Sequence, residues 1–207
     1  MYKEENMLKN FIFDLGHVLT PFEAYDLTRV YARDEENVAL IAETVFDRLY
    51  WDRLDAGTIE DDEVTAGFLS RLPEELHQAA LDAYNNWIIN LHPTPGMCEL
   101  VKDLKAKGGR IFLLSNTSVN LYENYHKSPW MKELFSIFDG LVVSGVIKKT
   151  KPNREIYEYV LDTYSLKAEE SIFIDDNQKN IEGCRAVGIE GYLFDGDTEK
   201  LRSYLLV

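Results

Sequence analysis

NFIFDLGHVLT, residues Asn10 to Thr20, decides the fold. Phe11, Ile12 and Phe13 form an apolar run with no polar alternation, the pattern of a strand covered on both faces in a parallel sheet. The run stops at Asp14 and turns through Gly16, which predicts a buried strand ending in a carboxylate. Taken alone, Asp14 reads as a turn residue or a cap for whatever follows. Stretches far downstream change that balance.

Immediately after Thr20 the period becomes helical and stays so to about Trp87. Tyr25 to Arg33, Val38 to Tyr50 and Leu76 to Ile89 space their apolar residues three and four apart, as in Val38, Ile41, Ala42 and Val45. The acidic runs Asp34-Glu35-Glu36 and Glu60-Asp61-Asp62-Glu63 read as helix starts and solvated faces, because carboxylates favour helix N-termini. Tyr50, Trp51, Arg53 and the turn at Gly57 are candidates to line a pocket, although aromatic residues at helical spacing are more often core. The segment is expected to be an all-α insertion.

From His92 helices and strands alternate. Thr94-Pro95 predicts an N-cap and first helical turn, with Met97, Leu100, Val101 and Leu104 on one face and Gly108-Gly109 at the end. RIFLL, Arg110 to Leu114, is a strand that ends at Ser115-Asn116. A helix from about Ser118 to His126 and an irregular stretch containing Ser128-Pro129 precede the strand Leu141 to Ser144. A loop with Lys148, Lys149 and Lys151 follows, then a helix opened by Pro152. SIFI, Ser171 to Ile174, is a strand ending at Asp175-Asp176. Next come a helix from about Gln178 to Val187, a strand at Tyr192 to Phe194, and a C-terminal helix capped by Asp197.

Strands separated by helical crossovers predict an α/β fold, a Rossmann-like parallel sheet with helices on both faces. With the insertion it becomes a core of residues 1–20 and 92–207 carrying a small all-α cap domain of residues 21–91. The length of 207 residues, 45% hydrophobic and 28% charged, suits a soluble globular protein of that organisation. Lys3, Glu4 and Glu5 interrupt the N-terminus and Asp14 ends the first apolar run, so neither a signal peptide nor a membrane span is expected and the location is read as cytoplasmic. Cys98 and Cys184 lack zinc spacing and read as small apolar residues. The net charge of −14 repels nucleic acid and anionic membranes, and an anionic substrate needs local positive charge or a bound cation. Nothing in the sequence indicates an oligomeric state.

In such folds ligands bind at the carboxyl ends of the strands, where Asp14, Ser115 and Asp175-Asp176 all fall. Each could serve only as a local cap, but three strand ends delivering carboxylates and a hydroxyl to one edge, beside a loop lysine, point to a site. Converging carboxylates raise one another's pKa unless a cation joins them. Oxygen ligands without a His/Cys set favour Mg²⁺, which keeps waters and binds substrate phosphate. Ser115 and Lys151 then face the metal across a phosphoryl group, and Asp14 is the natural nucleophile.

At this point the sequence resembles the haloacid dehalogenase-like superfamily, in particular its phosphatase branch. FIFDLGHVLT is similar to the first motif, LLSN to the second, KKTKP to the third and FIDDNQKN to the acidic fourth, in the right order; the helical segment lies where that superfamily inserts a helical cap. The resemblance implies Asp14 as catalytic nucleophile and metal ligand, the Gly16 carbonyl as a second ligand and Asp176 as a direct ligand. Asp175 is implied to act through metal-bound water, with Asn180 holding the loop. It further implies that Ser115, backed by Asn116, binds the transferring phosphoryl of a small phosphorylated metabolite, while Lys151 ties it to the carboxylates. Lys148 and Lys149 are assigned to the surface.

One departure matters. Most phosphatases of the superfamily carry a second aspartate two residues after the nucleophile, which protonates the leaving group; here that position is Gly16. His17 and Glu23 are the nearest substitutes in the chain. Hydrolytic dehalogenation through the same aspartate is a competing expectation, but it needs neither a cation nor the acidic fourth motif. A phosphate-binding or regulatory protein that has lost turnover is another, and it would not need Asp14.

Overall fold

The computed structural model describes residues 8–206. The expectation built on Lys3, Glu4 and Glu5 lies outside the described residues. A five-stranded, wholly parallel sheet forms the centre, with strands β1 (Asn10–Phe13), β2 (Arg110–Ser115), β3 (Gly140–Val143), β4 (Ser171–Asp175) and β5 (Glu190–Leu193) in the order β3-β2-β1-β4-β5.

The alternation within the apolar runs covers both faces. Phe11 and Phe13, with Ile111, Leu113, Ile172 and Ile174, point into one cluster; Ile12, Phe112, Leu114 and Phe173 point into another. A strand with two buried faces has no solvated side to read as polar, which is why these runs show no period of two in polarity. Burying each such side chain contributes roughly 1.5–3 kcal/mol. On the first face pack α6 (Met97–Ala106), through Met97, Leu100, Val101 and Leu104, and α12 (Thr198–Leu205), through Leu201. Ile156, Tyr157 and Val160 of α10 (Arg154–Tyr164) and Ile181 and Cys184 of α11 (Gln178–Arg185) cover the second.

Between β1 and α6 run α1 (Ala24–Arg29), α2 (Glu35–Val45), α3 (Arg48–Asp55), α4 (Asp61–Leu69) and α5 (His77–Asn90), with no strand among them. Ile41, Val45, Leu54, Val64, Phe68, Ala80 and Tyr84 form their own buried cluster. Asp34 caps α2 by accepting from Glu36 N and Asn37 N, and Glu60 occupies the N-cap position of α4. The single helix expected over Val38 to Tyr50 is two. Asp47 accepts from Leu49 N at 2.9 Å and so starts α3.

Other boundaries also differ from expectation: α1 ends at Arg29 rather than Arg33, and β5 runs Glu190–Leu193 rather than Tyr192 to Phe194. Thr94 does not cap α6: its carbonyl accepts from Met97 N at 3.1 Å across Pro95-Gly96, with Gly96 at φ +74°, so a tight turn precedes the helix. Ser128-Pro129 opens a helix, α8 (Pro129–Phe135), after α7 (Val119–Asn124) and a short 3-10 turn, because proline suits a first helical position. Pro152 does not open α10; Asn153 N donates to Thr150 O at 3.0 Å, and this turn delays the helix to Arg154. A one-turn helix, α9 (Ser144–Ile147), follows β3 directly. Among the described residues no helix is long and apolar enough to cross a membrane.

Candidate active site

The strand order reverses at β1: the chain steps outward through β2 and β3, then returns to lay β4 on β1's other edge. A crevice opens at such a switch point, outside the carboxyl ends of the strands. Phe13 lies opposite Leu113 of β2 and Ile174 of β4, so the next residue along β1, Asp14, is level with Asp175 and one position short of Ser115. Asp14 N donates to Ile174 O at 2.9 Å, holding the carboxylate at that edge after β1 has ended.

Lys151 joins the two carboxylates. Its Nζ lies 2.8 Å from Asp14 Oδ1 and 2.7 Å from Asp175 Oδ2, and the lysine side chain is 1% exposed. Asp175 is otherwise satisfied by protein donors, taking Asn177 N at 2.7 Å and Asn180 Nδ2 at 3.0 and 3.1 Å. Asp14 Oδ1 also accepts from Leu15 N at 2.7 Å. Burial pushes Asp14 up to about 7, Lys151 opposes the rise and Asp175 adds to it. Burial disfavours the Lys151 charge, yet Asp14 and Asp175 hold its pKa above the ordinary lysine value. Burial, then Asp175, also raises exposed Asp176.

Asp14, Asp175 and Asp176 each offer a carboxylate oxygen, all within 4.8 Å of one another. Three carboxylates against one ammonium leave negative charge uncompensated in a largely buried place, which fits a hard divalent cation.

Ser115 is buried at the end of β2 and lines the cleft. Asn116 also lines it, but its side chain is committed: Oδ1 accepts from Lys151 N at 2.8 Å and Nδ2 donates to Lys151 O at 2.9 Å. The amide expected to back the phosphoryl site therefore grips the lysine's main chain. Lys148 and Lys149 are exposed and do not line the cleft. His17 is exposed at the cleft edge. Glu23 is exposed and lies outside the lining.

The cleft measures about 670 Å³. The helical segment gives the lining an apolar patch of Phe22, Phe46, Trp51 and Trp87, with Leu91, and beside it the charged Arg48, Asp52 and Asp55. Phe22 packs edge-on against the other three rings, with centroids 5.6–5.8 Å apart. Tyr50 and Arg53, candidates beside Trp51, do not line it. Arg48 and Asp55, at the two ends of α3, do line it and carry no motif that would single them out.

A parallel sheet whose switch point carries an aspartate, a bridging lysine and a second acidic loop defines a hydrolase of the haloacid dehalogenase-like type. The model of that family, haloacid dehalogenase-like hydrolase, matches residues 8–188, and the chain belongs to it. The sesquiterpene phosphatase astK of Aspergillus oryzae is 27% identical over 180 residues, covering 87% of this chain and 86% of that protein. A predicted HAD-like family hydrolase from Porphyromonas gingivalis has a similar structure, with TM-score 0.72 and 25% identity over 97% of this chain and 98% of that one. A HAD family enzyme of Bacteroides thetaiotaomicron, solved with magnesium and inorganic phosphate, superposes with TM-score 0.66 at 23% identity, covering 94% of this chain and 98% of that one.

Proposed function

We propose that this hydrolase is a Mg²⁺-dependent phosphatase that acts through an aspartyl phosphate on a small phosphate monoester with an apolar leaving group. The observation that carries the proposal is the bridge of Lys151 between Asp14 and Asp175 beside Asp176. A nucleophilic carboxylate, a buried ammonium and uncompensated negative charge together suit an anionic phosphoryl group arriving with a cation. The acidic pair Asp175-Asp176 favours this over dehalogenation, which has no use for a cation.

Asp14, the Gly16 carbonyl and Asp176 would hold Mg²⁺, with Asp175 oriented behind them by Asn180. When bound, the ion supplies charge compensation that lets carboxylate and phosphate approach each other. Asp14 Oδ attacks phosphorus while Lys151 and the Ser115 hydroxyl bind the phosphoryl oxygens. Asn116 keeps the lysine in reach of both. Residues 21–91 act as a cap, seating the leaving group against Phe22, Phe46, Trp51 and Trp87 and excluding water. The kinship with a sesquiterpene phosphatase supports an apolar leaving group.

A panel of phosphate monoesters with apolar and polar leaving groups, assayed with Mg²⁺ and after chelation, tests the proposal. Hydrolysis that prefers apolar esters and stops on chelation is the expected result. Full activity without a divalent cation sinks the metal assignment, and an active Asp14→Asn protein sinks the nucleophile.

A further inference from the structure

Gly16 leaves the first turn without a side chain to protonate a departing alkoxide, and the two nearest substitutes, Glu23 and His17, are both solvent-exposed. Glu23 lies outside the cleft, and His17 is solvent-exposed at its edge. An alkyl phosphate still needs an acid, because an alkoxide is a poor leaving group at neutral pH.

Four buried side-chain oxygens have no hydrogen-bond partner among the described residues: Asp55 Oδ1, Ser128 Oγ, Tyr192 Oη and Thr198 Oγ1. Of these residues only Asp55 lines the cleft that holds Asp14. An unpaired buried carboxylate is costly, whereas a protonated carboxyl keeps an O–H to give to whatever occupies the cleft.

Asp55 comes from the helical segment yet is fixed to the core. Its carbonyl, at the end of α3, accepts from Ser144 Oγ at 2.5 Å. Two residues on, Gly57 turns at φ +64° so closely over α9 that a Cβ there would lie 2.5 Å from Gly145 O. Gly145 itself has no room, since an added Cβ would lie 2.9 Å from Val119 N and 3.1 Å from Leu54 O. Backbone against backbone, this contact holds the end of α3, and Asp55 with it, against the core.

We infer that Asp55 is the general acid and base of this enzyme, supplied across the cleft by the helical segment in place of the side chain that Gly16 lacks. The inference rests on the phosphatase proposal. In the first half-reaction the P–O bond to the leaving group breaks as Asp14 bonds to phosphorus, and the Asp55 carboxyl gives its proton to the departing oxygen. An alcohol and an Asp55 carboxylate result. In the second, Asp55 takes a proton from water as the water oxygen bonds to phosphorus and the Asp14–phosphorus bond breaks. Phosphate leaves and Asp55 is again protonated.

Charge around Asp55 supports the role. Burial pushes its carboxyl up to about 7; Arg48 opposes the rise, Asp52 and Asp14 add to it, and Lys151 opposes it from the core. A group divided between its two forms near neutrality can both give and take a proton.

The test compares wild type, Asp55→Asn and Asp55→Asn/Gly16→Asp on octyl phosphate and 4-nitrophenyl phosphate with Mg²⁺. Space exists for the rescue, because an added Cβ at Gly16 meets nothing within 4 Å. Asp55→Asn is expected to lower kcat/KM for octyl phosphate about 10²- to 10⁴-fold. On 4-nitrophenyl phosphate, which needs no acid, it should release about one equivalent of nitrophenolate in a burst before slow turnover, since only the second step has lost its base. The double variant should recover octyl phosphate hydrolysis. Asp55→Asn turning over octyl phosphate within about threefold of wild type overturns the inference, as does equal slowing of both substrates without a burst. Should Asp55→Asn fail to fold, the wild-type pH profile decides. An alkaline fall in kcat/KM for octyl phosphate alone supports Asp55, and identical profiles for the two substrates overturn it. Wild type inert toward every phosphate monoester overturns the phosphatase proposal itself, a result distinct from an active enzyme indifferent to Asp55.

Discussion

Asn116 holds both main-chain polar groups of Lys151, accepting from its N–H at 2.8 Å and donating to its carbonyl at 2.9 Å. The loop after β3 is thereby registered against the end of β2, and the ammonium is aimed between Asp14 and Asp175. Asn116→Ala should lower kcat/KM about 10- to 100-fold through misplacement of Lys151. It should also destabilise the protein by about 1–3 kcal/mol, the cost of two part-buried main-chain groups left unpaired. Steady-state kinetics beside thermal denaturation check this. A lower melting temperature with unaltered kinetic constants would show that Asn116 is only structural.

Lys151 and Lys149 differ in position more than in chemistry. One is enclosed with two carboxylates, the other stands in solvent. Removing a partner from a buried ion cluster costs about 3–5 kcal/mol, whereas a surface lysine away from special features changes stability by no more than about 0.5 kcal/mol. Lys151→Ala is expected to lose at least about 10²-fold in turnover, and Lys149→Ala to match wild type in both measurements. Equal behaviour of the two variants would remove Lys151 from the site.

The sheet was legible where packing leaves a local trace. Phe11-Ile12-Phe13, Ile111 to Leu114 and Ile172 to Ile174 are apolar because both faces are covered, and each run stops near the residue that enters the cleft. Helix boundaries were harder to read, because Thr94-Pro95 and Ser128-Pro129 look alike in sequence. Gly96 at positive φ makes the first a turn, while the second starts a helix. Asp55 had no readable signal at all. A carboxylate before Ala56-Gly57 resembles any helix end, and it lines the same cleft as Asp14 beside the place where Gly57 and Gly145 let two backbones meet.

Metal binding should depend on pH in a direction set by burial. Asp14 and Asp55 are both raised from 3.8 to about 7, so the folded protein retains protons that the unfolded chain releases. The two groups therefore make metal-free stability fall as pH rises from about 4 to about 7, and add no further slope above. A cation on Asp14 competes with that proton. Mg²⁺ should thus raise the melting temperature more near pH 8 than near pH 5, and much less in Asp176→Asn. Scanning calorimetry with and without Mg²⁺ measures both. An equal shift at the two pH values, or one unaffected by Asp176→Asn, would contradict this ligand set.

Phe22 offers the cleanest probe of the proposed leaving-group wall. It lines the cleft and touches Phe46, Trp51 and Trp87, yet it is only partly buried, whereas Trp51 and Trp87 belong to the core. Truncating either tryptophan would cost roughly 3–5 kcal/mol of stability and confuse folding with binding. Phe22→Ala removes a ring face worth about 1–2 kcal/mol to an apolar chain lying against it, a factor of roughly 5 to 30 in affinity. Octyl phosphate should show that loss in kcat/KM, carried mainly by KM, because the contact exists before and during phosphoryl transfer. Glycerol phosphate, with no apolar chain to seat, should stay within about twofold of wild type. Parallel losses on both esters would mean that Phe22 supports the cleft rather than the substrate, and the apolar leaving group would have to be abandoned.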